Sequence, residues 1–233
     1  MFVVDSHCDS IQRVDRGLQK LKNPYNMSRK HLQCQFVAMF CCWPRETPEE
    51  SHARMLRYAR LYEEQLHKQA DLIVGCRTGR EVGMLIDVSH LSDRGFYQLC
   101  ELSDAPLVAT HSNFRGACRH SRNLSDEMAL ELRRRGGMIG AFNLCRSFLR
   151  EDGDPDTDDI LRMTDYALSL LGDDCIGFGC DIDGTSDKYP RGITMEHSIH
   201  DDIIELLERR YPVSTVERIA GGNWLDFMKK NLV

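Results

Sequence analysis

The chain lacks any apolar run of about 18 residues, the length a membrane-spanning helix needs, so no span and no membrane partner are expected. It lacks a basic stretch followed by an apolar one at its start, so no secretory leader is expected and the compartment reads as cytoplasmic. Paired CxxC motifs are missing: the ten cysteines are scattered at 8, 34, 41, 42, 76, 100, 118, 145, 175 and 180. Without a paired knuckle, a cysteine zinc site is not expected. Several of these cysteines lie inside apolar runs, where reduced thiols serve as small core residues. An excess of positive charge is also missing. A net charge of -6 argues against a nucleic-acid partner, which needs a basic face. No internal repeat or low-complexity tract is evident.

What is present is ordinary in bulk and unusual in pattern. With 233 residues, 42% hydrophobic and 28% charged, residues 1–233 read as one soluble domain able to bury a sizeable core. Strands are expected at 2–7, 35–42, 71–76, 83–89, 106–110, 137–142 and 175–180. Helices are expected at about 48–69, 92–102, 124–134, 156–171, 200–210 and 214–230. Ser125 or Asn123 is placed to cap the third helix, and Ser214 with Glu217 reads as a capping box for the last. The stretches 23–33, 150–159 and 185–200 read as loops. Such alternation gives an α/β fold, a parallel sheet with helices outside.

Several apolar runs end in ligand-type residues. Val3-Val4-Asp5-Ser6-His7-Cys8-Asp9 ends in His-x-Asp, and strand alternation would put His7 and Asp9 on one face. The runs ending at His90 and His111 repeat the device, and the run from Cys175 ends in Asp181 and Asp183. Ligand-type residues at successive strand ends are the pattern of a (β/α)8 TIM-type barrel with its site on the C-terminal face. Imidazoles with an aspartate oxygen suit zinc, so His7, Asp9, His90 and His111 are the candidate metal ligands. A bland reading stands beside this one: buried hydrogen-bonding groups at 7 and 9, a helix-cap neighbour at 90 and a loop residue at 111. Asp181 or Asp183 could take a proton from a metal-activated water, hold a substrate ammonium, or simply form an Asp-Gly turn. Arg122 before a helix could pair with a carboxylate. Arg133-Arg134-Arg135 reads as a helix C-terminal face that suits the macrodipole.

The count is seven strands rather than eight. Only the six residues Arg77–Val82 separate Cys76 from Gly83, whereas a parallel crossover needs about ten or more. One β/α unit is therefore expected to be missing or distorted.

The words GMLIDVSHLS, PLVATHSNFRGACRHSRNLSDEMALEL, GGMIGAFN, IGFGCDIDG and ERRYPVSTVERIAGGNWLDFM occur in this order. In them the chain resembles the renal (membrane) dipeptidase family of metallopeptidases. The resemblance implies a (β/α)8 barrel that hydrolyses small dipeptides with two zinc ions (Zn2+). It implies that His7 and Asp9 bind one zinc and His90 and His111 the other. It further implies that Arg122 holds the substrate's C-terminal carboxylate, and that Asp181 meets the free amine and assists proton transfer.

One departure goes with the resemblance. Family members carry a metal-bridging Glu in a Glu-Gly motif at the end of the third strand, and a substrate-contacting His after the fourth. Here Asp71 to Glu81 contains no Glu-Gly, and Glu81 is the carboxylate nearest that place. Two ligands per zinc fall short of the three usual in catalytic sites. The expected function is a zinc-dependent dipeptidase acting through metal-activated water, with low activity and partial metal occupancy. The alternative is a catalytically impaired barrel, a pseudoenzyme or small-peptide binder. A homodimer is the oligomer to look for.

Overall fold

The β-branched pair Val3-Val4 opens the first strand, and both side chains are fully buried. A computed structural model describes residues 1–21, 28, 30–38, 46–70, 85–184, 189–193 and 198–231. The elements in chain order are β1 Phe2–Cys8, α1 Ser10–Asp15, β2 Leu32–Val37, α2 Pro48–Lys68 and β3 Ile86–Asp87. Next come α3 Asp93–Leu102, β4 Leu107–Ala109, α4 Asp126–Arg134, β5 Met138–Ala141, α5 Arg146–Leu149 and α6 Thr157–Leu171. The chain closes with β6 Ile176–Phe178, α7 Ile199–Glu208, α8 Val213–Glu217 and α9 Asn223–Asn231.

Among the described residues all strand pairs are parallel, and six strands form one sheet in the order β2-β1-β6-β5-β4-β3. This is the parallel half-barrel of the expected α/β architecture. The expected strand at 71–76, the short join from Cys76 to Gly83, and Glu81 lie outside the described residues, as do residues 39–42 of the expected second strand.

Local chemistry explains most boundaries. Thr47 and Glu50 form a capping box at α2, and Asp156 and Asp159 form one at α6. Ser92, Ser125 and Ser198 each accept a backbone N–H at the start of α3, α4 and α7. Of the two candidates for α4, the cap is thus Ser125.

The last helix departs from expectation. Pro212 precedes the first helical residue, its φ of -55° already suited to a helix, and no side chain caps α8. Ser214 therefore lies inside the first turn, the expected capping box does not form, and Thr215 Oγ1 donates to Asp173 instead (3.2 Å). The expected continuous helix 214–230 is interrupted by a π-helical turn at Arg218–Gly222. A Cβ on Gly221 would come within 2.4 Å of the Phe2 carbonyl oxygen, so the wide turn and its bare glycine let this segment press against β1. Short helices α1 and α5 form in segments to which no element was assigned, and β2 begins inside the expected loop 23–33.

The main core gathers Phe96, Phe114, Phe142 and Phe178, all fully or almost fully buried. A second cluster packs Val4, Val108 and Met138 against Trp224 and Phe227 of α9. Burying each such side chain is worth roughly 1.5–3 kcal/mol. Among the described residues Cys8, Cys100, Cys118, Cys175 and Cys180 are free thiols, mostly buried, as their apolar settings implied.

Candidate functional site

β1 carries His7 to the sheet's C-terminal edge, where the register slips between Asp5 and Cys8. Asp9 lies beyond the strand, with φ -103° and ψ 22°, at the entry to α1. Its convergence with His7 comes from this turn rather than from strand alternation. Gln12 Nε2 donates to Asp9 Oδ1 (2.8 Å), and Asp9 Oδ2 lies 3.5 Å from His7 Nε2.

His90 sits in the turn between β3 and α3, and His111 follows the end of β4. Their Nε2 atoms face each other at 2.9 Å. The His7 ring stacks on His111 with centroids 3.8 Å apart. Asp181, beyond β6, places Oδ1 3.7 Å from His7 Nε2. Donor atoms of His7, His111 and Asp181 all lie within 4.8 Å of one another. All four expected metal ligands thus gather at one edge of the sheet, together with Asp181.

The backbone is strained where these groups emerge. His90, Asp181 and Asp183 have φ of 71°, 56° and 68°. Asp and His tolerate this region better than most residues, and each instance costs of order 1–3 kcal/mol. Gly184 completes the turn: a Cβ there would lie 1.9 Å from Asp181 Oδ1 and 2.5 Å from Asp9 Oδ2. Asp183 is held away from the cluster by Arg13 Nε (2.9 Å), Ser10 Oγ (2.8 Å) and Gln19 Nε2 (2.7 Å). Of the two aspartates, only Asp181 joins the histidines.

Asn143, to which the sequence reading assigned no role, orients Asp181. Its Nδ2 donates to Asp181 Oδ2 (3.1 Å) and to the His111 carbonyl oxygen (3.3 Å). The buried Asn113 side chain holds the Asn143 backbone at both its N–H (3.0 Å) and C=O (2.9 Å). The available signal was an Asn directly after the strand-end word Gly-Ala-Phe.

Arg122 lies in the loop between β4 and α4. It donates through Nη1 to Ser112 Oγ (2.9 Å) and through Nη2 to the His111 carbonyl oxygen (3.2 Å). Its Nε is buried with no hydrogen-bond partner, and no carboxylate of the described residues pairs with the guanidinium. Beside it opens a cleft of about 770 Å³, lined by His90, Leu91, Arg119 and His120 among others.

The electrostatics divide the histidines. Burial opposes charge on His7, but the Asp9, Asp181 and Asp5 carboxylates outweigh it and raise its pKa. Burial, reinforced by His7 and Arg122, lowers that of His111. Burial, Arg122 and His7 lower that of His90. Converging imidazole nitrogens with nearby carboxylate oxygens are the donor set that borderline divalent cations such as zinc take, so these residues fit a metal of that class. Burial, aided by Asp9, pushes Asp181 up to about 6 against the pull of His7, Asn143 and Arg122.

Asp5, Cys180 and His200 form a second group deeper in the fold, all fully buried. His200 Nε2 meets Asp5 Oδ2 at 2.7 Å, while the backbone N–H groups of His7 (3.2 Å) and Cys180 (3.1 Å) donate to Asp5 Oδ1. This carboxylate is saturated by donors and ties the end of β1 to that of β6, the two strands that present His7 and Asp181.

The sequence profile of the family described as Membrane dipeptidase (Peptidase family M19) matches residues 77–232. An uncharacterized protein in the pqqA 5′ region of Klebsiella pneumoniae is 33% identical over 150 residues, covering 63% of this chain and 54% of that protein. Dipeptidase 3 of Mus musculus is 29% identical over 149 residues, covering 64% of this chain and 30% of that protein. The chain thus spans from under a third to about half the length of these relatives. The dipeptidase AC, a metallopeptidase of solved structure, superposes with a TM-score of 0.76 at 21% identity, covering 100% of this chain and 99% of that one. A metallopeptidase from Rhodobacter sphaeroides, liganded with a phosphinate mimic of the dipeptide L-Ala-D-Ala, gives 0.74 at 20% identity, covering 99% of each chain. At these identities the structural likeness shows the shared fold.

Proposed function

Since the chain belongs to the membrane dipeptidase family, we propose that it is a zinc-dependent dipeptidase that cleaves small dipeptides with free ends. The observation that carries this reading is the gathering of His7, Asp9, His90, His111 and Asp181 at one sheet edge. His7 with Asp9, and His90 with His111, are the pairs that would hold metal. Bound zinc supplies Lewis acidity and a water acidic enough to ionise near neutral pH.

The chain's own groups do the rest. Arg122 offers a buried guanidinium edge to the substrate's C-terminal carboxylate, and the partnerless Nε supports that assignment. Asp181, with a pKa near 6, exchanges a proton readily at neutral pH. It accepts a proton at a carboxylate oxygen as water attacks and returns it to the leaving amine, or it holds the free ammonium of the substrate. Asn143 fixes the carboxylate plane so that Oδ1 stays on the histidine side.

The second reading, an impaired barrel that binds dipeptides without cleaving them, is supported by the absence of a Glu-Gly motif in residues 71–82. One experiment separates the two. The purified chain, dialysed against zinc, is analysed for metal content and tested on L-Ala-D-Ala and other free dipeptides. Bound zinc, at full or partial occupancy, with measurable turnover is the expected result. Dipeptide binding with no turnover would favour the second reading. A chain that takes up no zinc would remove both metal sites.

A further inference from the structure

We propose that Asp87 and Thr110 are positioning residues: they hold His111 in the tautomer protonated at Nδ1, so that its Nε2 lone pair is turned toward His90 and a metal ion. The inference rests on the reading of His111 as a metal ligand and adds the groups that set its state. Thr110 Oγ1 lies 2.5 Å from Asp87 Oδ2 and 2.8 Å from His111 Nδ1. The hydroxyl has one hydrogen, and an ionised carboxylate can only accept. The hydrogen therefore goes to Asp87, and the oxygen must accept from His111 Nδ1–H.

Asp87 is itself fixed. Its Oδ1 accepts the backbone N–H groups of Ser89 (2.9 Å) and Thr110 (3.0 Å). Ser89 Oγ in turn accepts the His111 N–H (3.2 Å). These bonds join the ends of neighbouring strands β3 and β4, which carry His90 and His111. His111 is 3% exposed, so water is poorly placed to support the opposite tautomer. In that tautomer Nδ1 would become an acceptor, and Asp87 and His111 would compete for the single Thr110 hydrogen. The arrangement is a carboxylate–hydroxyl–histidine relay that orients a metal-binding nitrogen from behind.

The test has two arms. Long-range ¹H–¹⁵N correlation spectra of the metal-free protein read which His111 nitrogen carries the proton. Competition with a chromophoric chelator reads zinc affinity. In the unsubstituted protein the proton is expected on Nδ1. Thr110→Val, nearly isosteric but without the hydroxyl, is expected to lose that preference and to weaken zinc about 10–100-fold, in the range seen for such outer-shell changes. Thr110→Ser should restore both, which a merely structural role for the residue would not require. A proton on Nε2 in the unsubstituted protein overturns the relay. So does a Thr110→Val protein with unchanged tautomer and unchanged zinc affinity. Absence of zinc binding by the unsubstituted protein would instead sink the metal reading, and the spectra, taken without metal, would still decide the tautomer.

Discussion

Arg122 is the residue whose surroundings say most about its task. A guanidinium has five N–H donors, and burial without an ionic partner is costly. Here Nη1 and Nη2 reach Ser112 Oγ and the His111 carbonyl oxygen, Nε reaches nothing, and burial lowers the pKa. The Phe148 ring lies 5.8 Å below and holds the plane without supplying an acceptor. Such a group is poised for an anion. Arg122→Ala is expected to cost about 1.5–3 kcal/mol in the binding of a free dipeptide, the worth of a charge-assisted hydrogen bond. The loss should be much smaller for the same dipeptide with an amidated C-terminus. Steady-state kinetics on the matched pair checks this, and equal losses would take the carboxylate role from Arg122. By its residue pattern it was legible only as an Arg before a helix, and the carboxylate role came from the family resemblance, because nothing in a linear string shows that its partners are neutral.

Among the elements, α4 shows how a charge run is divided by packing. Arg133 and Arg134 close the helix, as the macrodipole argument expected. Arg135 instead has a side chain only 6% exposed and donates to the Cys100 carbonyl oxygen (2.8 Å) and to that of Ser103, tying α4 to the end of α3. Glu131 accepts from Arg134 (2.7 Å) and Arg135 (2.6 Å), which hold its carboxyl down at about 2. A depressed carboxylate pKa stabilises the fold above the unfolded value of about 4.5, and that contribution is lost as pH falls toward about 2. Glu131→Gln should therefore lower Tm at pH 7 and leave a shallower fall in Tm between pH 4.5 and 2. Thermal melts over that range give the answer, and parallel pH profiles for the two proteins would remove Glu131 from acid sensitivity. The start of α4 was readable at Ser125 because a capping side chain is a local signal. The break at Arg218–Gly222 was not, because its cause is the approach of β1, more than 200 residues away in sequence.

At the scale of the whole molecule, the site is assembled from strand ends that are distant in sequence and adjacent in the sheet. The neighbours β1 and β6 deliver His7 and Asp181, and β3 and β4 deliver His90 and His111. An ion that binds only this folded arrangement must stabilise it, by about 2.7 kcal/mol at a concentration 100 times its Kd. Zinc is expected to raise Tm by roughly 5–10 °C for a chain of this size. EDTA should reverse the rise, and His111→Ala should reduce it. Calorimetry with and without zinc would detect this, and an unmoved Tm would count against metal held by the native sheet.

The sequence by itself determined the alternation of apolar runs and helices, hence a parallel α/β sheet, and it marked His7, Asp9, His90, His111, Arg122 and Asp181, because strand-end position and residue chemistry are both local properties. By residue pattern Asp181 and Asp183 stood equal and the family resemblance chose Asp181; tertiary structure supplied the reason, since Arg13, Ser10 and Gln19 claim the other carboxylate. It alone decided that Asn143 orients Asp181 and that Asp87 and Thr110 stand behind His111. Those choices depend on which donors and acceptors meet across neighbouring strands, and a hydrogen bond between segments 20 to 170 residues apart leaves no trace in the composition of either one.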